Sequence, residues 1–311
     1  MQVSAGHDPL AGLPELPFED WDPTRATLKL YLQIVGKIRL ALAPPKNHWW
    51  HVTMYLTPRG IGTHPMQYGA TAFEIDFDFL DHELVVRTSE GRTKTLALHD
   101  GLSVATFYRD LFVLLQRLGI DVEIRAESYG YPTAIPFADD EADASYDPEY
   151  VTRFWRVLAG SAEVLEEFAG WFNGKTSPVH LFWHGMDLAV TRFSGKRAPN
   201  PPTSNFVSHE AYTHEAISFG FWAGDDSTPG PTYYSYTYPE PPGLAEQPLE
   251  PEAARWMDVG SGHQARIAYE DIRTAESPRE ALLAFLQSAY EAGARTAGWP
   301  LEELVSTWAP R

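Results

Sequence analysis

The chain has 311 residues and is 44% hydrophobic, enough for one large domain or two lobes with cores of their own. Forty-two acidic against 24 basic side chains give a formal charge of −18, which repels phosphate backbones and argues against nucleic acid as a partner. There is no cysteine, so disulfides, zinc–thiolate sites, iron–sulfur clusters and cysteine nucleophiles are excluded together.

Residues 1–20, "MQVSAGHDPLAGLPELPFED", lack the basic flank and apolar centre of a signal peptide and read as a flexible leader. No run approaches the ~20 apolar residues of a membrane-spanning helix, so a cytoplasmic protein without a membrane partner is expected. Leu28, Leu32, Val35, Leu40 and Leu42 recur at near-helical spacing over 22–42, and Pro44-Pro45 ends the helix. "WHVTMYLT" (50–57) alternates and predicts a strand, with Trp50, Val52, Met54 and Leu56 on one face and His51, Thr53, Tyr55 and Thr57 on the other. "FEIDFDF" (73–79) alternates almost perfectly, and 83–98 reads as a hairpin turning at Ser89-Glu90-Gly91. An amphipathic helix follows over 103–119, with Ser103 as N-cap and Gly119 as stop. "DVEIR" predicts a short strand, and the polar, acidic stretch 128–147 a connecting segment.

The same order then recurs. A helix over 148–172 is followed by strands over 177–183 and 187–193, a Pro-rich loop, and strands over 215–222, 232–238 and 264–270. A closing helix enters through Ser277-Pro278 and leaves at Gly298. Strands grouped between helices indicate an α+β fold with antiparallel sheet and flanking helices. The repeated order suggests a two-fold internal duplication, 21–127 and 148–308, packed as one unit.

In "SHEAYTHEA" (208–216), His209 and His214 stand five apart, about 140° apart around a helix, so they cannot share an ion as a zincin pair does. "AISFGFW" also alternates like a strand, with Ala216, Ser218 and Gly220 forming a nearly bare face that suits either close packing or a ligand floor. The matching face in the first half is Glu74, Asp76 and Asp78, a row that suits a wet sheet face or a cation. His180 and His184 are on or beside a strand, and His48 and His51 straddle a strand entry. Neither pair is a metal signature, and each histidine can equally be a satisfied core or surface residue. Arg59 before Gly60-Ile61-Gly62 and Arg192 in "AVTRFSGK" could each fork onto an anion or pair with an internal acid. "GIG" leads into a strand rather than a helix, "SGKR" lacks the rest of a P-loop, and "GSGH" lacks a nucleophile elbow.

With "HVTMYLTPRG", "FEIDFDFLDHELVVRTSEG", "ASYDPEYVTRFWRVL", "SPVHLFW", "DLAVTRFSG" and "HEAISFGFW", the chain resembles the bacterial family known as domain of unknown function 5996. The resemblance spans about residues 20 to 299. It implies one module and carries no activity, cofactor or catalytic residue with it.

The reading from residues is a small-molecule-binding protein, with an enzyme as an extension of it and a site between the halves. His180, His214 and Glu215 would serve proton transfer or hold a divalent metal, a cofactor that no ligand spacing supports. His51, Tyr55, Arg59 and Arg192 would bind the ligand, with Arg192 on an anionic group. The alternatives are an interaction module that meets a basic partner through its acidic surface, and a divalent-metal-dependent hydrolase.

Overall fold

The computed structural model describes residues 8–130, 135–199 and 206–309. Parts of the expected leader, connecting segment and Pro-rich loop (1–7, 131–134 and 200–205) lie outside the described residues. Helices and two antiparallel sheets make the chain α+β, as its patterning indicated. Two compact units are present: a first of Leu16–Trp155 and His180–Asp187, and a second of Met1–Glu15, Arg156–Val179 and Leu188–Arg311. Among the described residues, no helix is long and apolar enough to cross a membrane.

The first unit begins with α1 (Phe18–Leu42), one turn earlier than the leucine spacing predicts. Trp21, fully buried against Phe154 at 5.1 Å between rings, draws that extra turn into the core. The short strands β1 (Tyr55–Thr57), β2 (Gly60–Gly62) and β3 (Met66–Tyr68) lead to β4 (Thr71–Asp78), β5 (Glu83–Thr88) and β6 (Thr93–Ala97). Their order is β1-β2-β4-β5-β6, with β3 also on β4. The strand expected from residue 50 starts only at Tyr55. Trp50 N donates to Asn47 O at 3.3 Å and Val52 N to Trp49 O at 3.1 Å, so local turns take the backbone groups a ladder would need.

The hairpin turns at Ser89-Glu90-Gly91 as expected, and α2 (Val104–Arg117) is capped by the Ser103 hydroxyl, which accepts from Thr106 N at 3.1 Å. Gly119 (φ 79°) supplies the left-handed residue beyond it. No strand forms over 121–125, although "DVEIR" alternates. α3 (Pro148–Gly170) follows, and then β7 (His180–Phe182), shorter than expected. Met54 and Leu181 exchange backbone hydrogen bonds of 2.9 and 2.8 Å, which ties β7 to the approach to β1.

The second unit holds β8 (Asp187–Arg197, from Leu188 onward), α4 (Phe206–Ala211), β9 (His214–Trp222), β10 (Thr232–Tyr238), β11 (Arg255–Asp258) and β12 (His263–Ala268). These strands run in the order β11-β12-β10-β9-β8. The short α5 (Tyr269–Arg273), α6 (Pro278–Thr296) and α7 (Leu301–Leu304) complete it. His209 lies on α4 and His214 on β9, so the two histidines of "SHEAYTHEA" share no helix. Ile217, Phe219 and Phe221 are fully buried on one face of β9. On the other face, a Cβ at Gly220 would stand 2.7 Å from the Tyr234 hydroxyl, so a tyrosine from β10 occupies the bare floor there.

The leader is packed where it is described. Leu10 and Leu16 are buried, Asp8 accepts from Arg279 N at 3.1 Å, and Tyr269 donates to Pro14 O at 2.7 Å. Asp8, Leu10 and the Pro14 carbonyl thus hold this stretch within the second unit, where composition alone suggests a flexible leader.

Gly36 of α1 fixes the position of the β7 turn, because a Cβ there would enter the Trp183 indole, whose Nε1 donates to Val52 O at 2.9 Å. Gly36→Ala is therefore expected to destabilise the protein by ~1–3 kcal/mol in urea unfolding, despite alanine's better helix propensity. A neutral or stabilising result would show that Trp183 does not hold α1 and β7 together.

Candidate functional site

His180 enters the first unit on β7 and is only 1% exposed. Its ring meets Phe182 at 4.9 Å, Tyr55 at 6.2 Å and Trp50 at 6.4 Å, each close to edge-on. The Nδ1 atom is buried and has no hydrogen-bond partner. Arg39, in the last turn of α1, also approaches Tyr55, its Cζ 5.9 Å from that ring's centre. Its Nη1 donates to Thr63 O, while its Nε is buried without a partner. His64, next along the chain, stacks flat on Tyr55 at 3.8 Å and 3°.

The backbone here is unusual. His48, Trp49 and His64 have φ of 56°, 61° and 58°, a left-handed conformation that costs non-glycine residues on the order of 1 kcal/mol or more each. Strain of this kind persists where surrounding structure over-determines it, and such residues concentrate at functional sites.

Electrostatics set the protonation states. Burial, and then the charge of Arg39, push the His180 imidazole down to about 3, so it is neutral at pH 7. His64 is lowered by burial first and Arg39 second, against a weaker pull from Glu74. Burial also lowers the Arg39 guanidinium, which stays cationic. Among the described residues no carboxylate pairs with it. The acidic row on β4 is committed elsewhere: Asp76 pairs with Arg87 at 2.5 Å, Glu74 lies 3.8 Å from the same group, and Asp78 holds Arg59. A buried cation, a neutral imidazole nitrogen and aromatic walls can together receive an anionic group attached to a flat body.

The residues singled out in the sequence are distributed over both units. Tyr55 and His180 come together in the first. His51 is buried beside them in the chain, its Nδ1 accepting from Lys46 N at 3.1 Å and its ring stacked on Trp49 at 5.5 Å. Arg59 is half-exposed and salt-bridged to Asp78 and, at 2.6 Å, to Asp81, which makes it a clamp on the β2–β4 end of the sheet. In the second unit, Arg192 is 1% exposed among aromatic rings, and Glu215 accepts from the Ser194 hydroxyl at 2.7 Å. His214 opens β9 with its Nδ1 3.0 Å from the Thr213 hydroxyl. Among the described residues, no group of three or more His, Asp or Glu side chains could hold a metal ion. Arg39 and His64 escaped notice in the sequence. Arg39 was findable, because Leu28, Leu32, Val35 and Arg39 fall on one helical stripe and put a cation in line with the core.

The neutral His180 makes stability depend on acid. The unfolded imidazole takes up a proton near its ordinary 6.5, whereas the folded one does so only near 3. Stability is therefore expected to fall as pH drops through that window, by up to about 1.4 kcal/mol per pH unit from this group. His180→Gln should give a shallower acid slope between those limits in urea melts. An unchanged slope would mean that His180 titrates normally in the fold.

No curated protein and no solved structure matches the chain. A family model described as a family of unknown function (DUF5996) matches residues 13–306, nearly the full length. The buried Arg39–His180 arrangement thus sits within the matched region, and the chain belongs to the DUF5996 family.

Proposed function

We propose that this protein binds a small organic anion, a carboxylate carried on a flat apolar body, at Arg39, Tyr55, His180 and the rings beside them. The observation that carries this reading is the pair of buried, unpartnered polar atoms, Arg39 Nε and His180 Nδ1, beside one aromatic ring. A buried polar atom without a partner is costly, and a carboxylate would accept from both when His180 carries its proton on Nδ1. Trp50, Tyr55 and Phe182 supply the apolar walls that orient a planar guest. A cytoplasmic setting belongs to the same proposal and fits a chain that folds without disulfides. So does descent from a duplicated half. It is supported by β4 and β9, the two strands whose sequences correspond, each being an inner strand of its antiparallel sheet.

Benzoate and benzamide separate charge from shape. Benzoate is expected to raise the melting temperature and to titrate in calorimetry, while benzamide does neither. Arg39→Met should weaken benzoate at least about tenfold, or ~1.4 kcal/mol. Equal responses to both compounds, or benzoate binding unaffected by Arg39→Met, would overturn the reading.

A further inference from the structure

The second unit contains another buried guanidinium, independent of the site above. Arg192 leaves β8 into a cage of rings: its Cζ stands 3.6 Å from the centre of Phe168, 4.5 Å from Tyr290, 5.1 Å from Phe172 and 5.9 Å from Phe219. Its Nη2 donates to Phe168 O, which also accepts from Trp171 N at 3.1 Å, in the last turn of α3, where a cation is favoured. Among the described residues it makes no salt bridge. Burial pushes the group down to about 9, which leaves it charged at neutral pH.

Three buried polar groups in this cluster have no partner: Arg192 Nε, the Tyr290 hydroxyl and Trp299 Nε1. Tyr290 links the other two, its ring lying beneath the guanidinium and 6.3 Å from the Trp299 ring. All three can donate, and two of them can only donate. Other buried tyrosines of the same unit are satisfied, Tyr233 by Ser161 at 2.8 Å and Tyr269 by Pro14 O at 2.7 Å. Native cores rarely leave such groups unpaired, so an uncompensated cation, the tyrosine beneath it and the tryptophan against that tyrosine ask for a common acceptor.

We propose that Arg192, Tyr290 and Trp299 form an enclosed site for a small monovalent anion, of the size of chloride or formate. The charge selects an anion over water, and the three residues, each no more than 5% exposed, restrict it to a few atoms. The anion would be structural. It would tie β8 and the end of α3 to α6 and the residues after it.

The test is thermal unfolding in sodium chloride against sodium gluconate at equal ionic strength, gluconate being too large to enter. The expected result is a saturable rise in melting temperature with chloride, reproduced by bromide. Tyr290→Phe and Trp299→Phe each remove one donor and should shift the chloride midpoint upward at least about threefold, and Arg192→Met should abolish the response. If Arg192→Met does not fold, the two milder variants carry the test. Identical melting curves in both salts, as for a site filled by water, would overturn the proposal. So would a chloride response that neither variant alters. Benzoate binding at Arg39 is untouched by these variants, so either proposal can fail alone.

Discussion

The free energy of keeping a guanidinium out of water without a carboxylate beside it is the constraint on which this molecule turns. The chain has 42 acidic residues, so counter-ions are not scarce. They are used near the surface: Asp76 for Arg87, Asp78 and Asp81 for Arg59, Glu167 for Arg279. Arg25 shows the ordinary solution for a buried arginine, pairing with Asp22 at 2.5 Å. Arg39 and Arg192 are different. Arg39 is answered by one backbone carbonyl and the Tyr55 ring, Arg192 by one carbonyl and four rings, and each retains a buried Nε with nothing to bind. Moving such an ion out of water costs several kcal/mol, and cation–π contacts of ~0.5–2 kcal/mol offset part of that.

The aromatic content follows from the same need. Rings at the two guanidiniums are both the apolar core and the polar environment, because their faces are electron-rich. Around Arg39 the rings also crowd His180 and hold it neutral, so one burial event sets two protonation states in opposite senses of usefulness. A neutral imidazole offers a donor or an acceptor, and a cation offers only donors. Short β-strands and left-handed residues at His48, Trp49 and His64 then fix the approach of the chain to this spot. The longer, regular elements α2, β4, β9 and α6 form the frame.

Those regular elements were the legible part of the sequence. α2 and α6 begin and stop close to Ser103, Ser277-Pro278, Gly119 and Gly298, and the alternating sequences of β4 and β9 form strands, because alternation reports side chains pointing to opposite faces. The stretch before Tyr55 alternates just as well yet folds as turns. Its apolar residues are buried by the close approach of Leu181 and Trp183, contacts more than a hundred residues away that a local pattern cannot carry. The same distance separates Tyr55 from His180. Both were recognised as polar residues on extended segments, but which partners they would meet depended on long-range pairing. Arg39 was hidden for another reason: a single arginine among leucines resembles a helix's solvated edge unless its place on the buried stripe is counted. Arg192 reads in the sequence as an anion holder at a strand end, and its position inside a cage of phenylalanine and tyrosine rings is set by the end of α3, by β9 and by α6, distant segments that a local pattern does not reveal.

A crystal structure of the protein soaked with benzoate is the most direct measurement of what the first buried guanidinium is for. The account requires the carboxylate within hydrogen-bond distance of Arg39 Nε and His180 Nδ1, with the ring against Trp50, Tyr55 or Phe182. Density for benzoate elsewhere on the molecule, with Arg39 Nε turned onto a protein carbonyl or an acidic side chain, would contradict it.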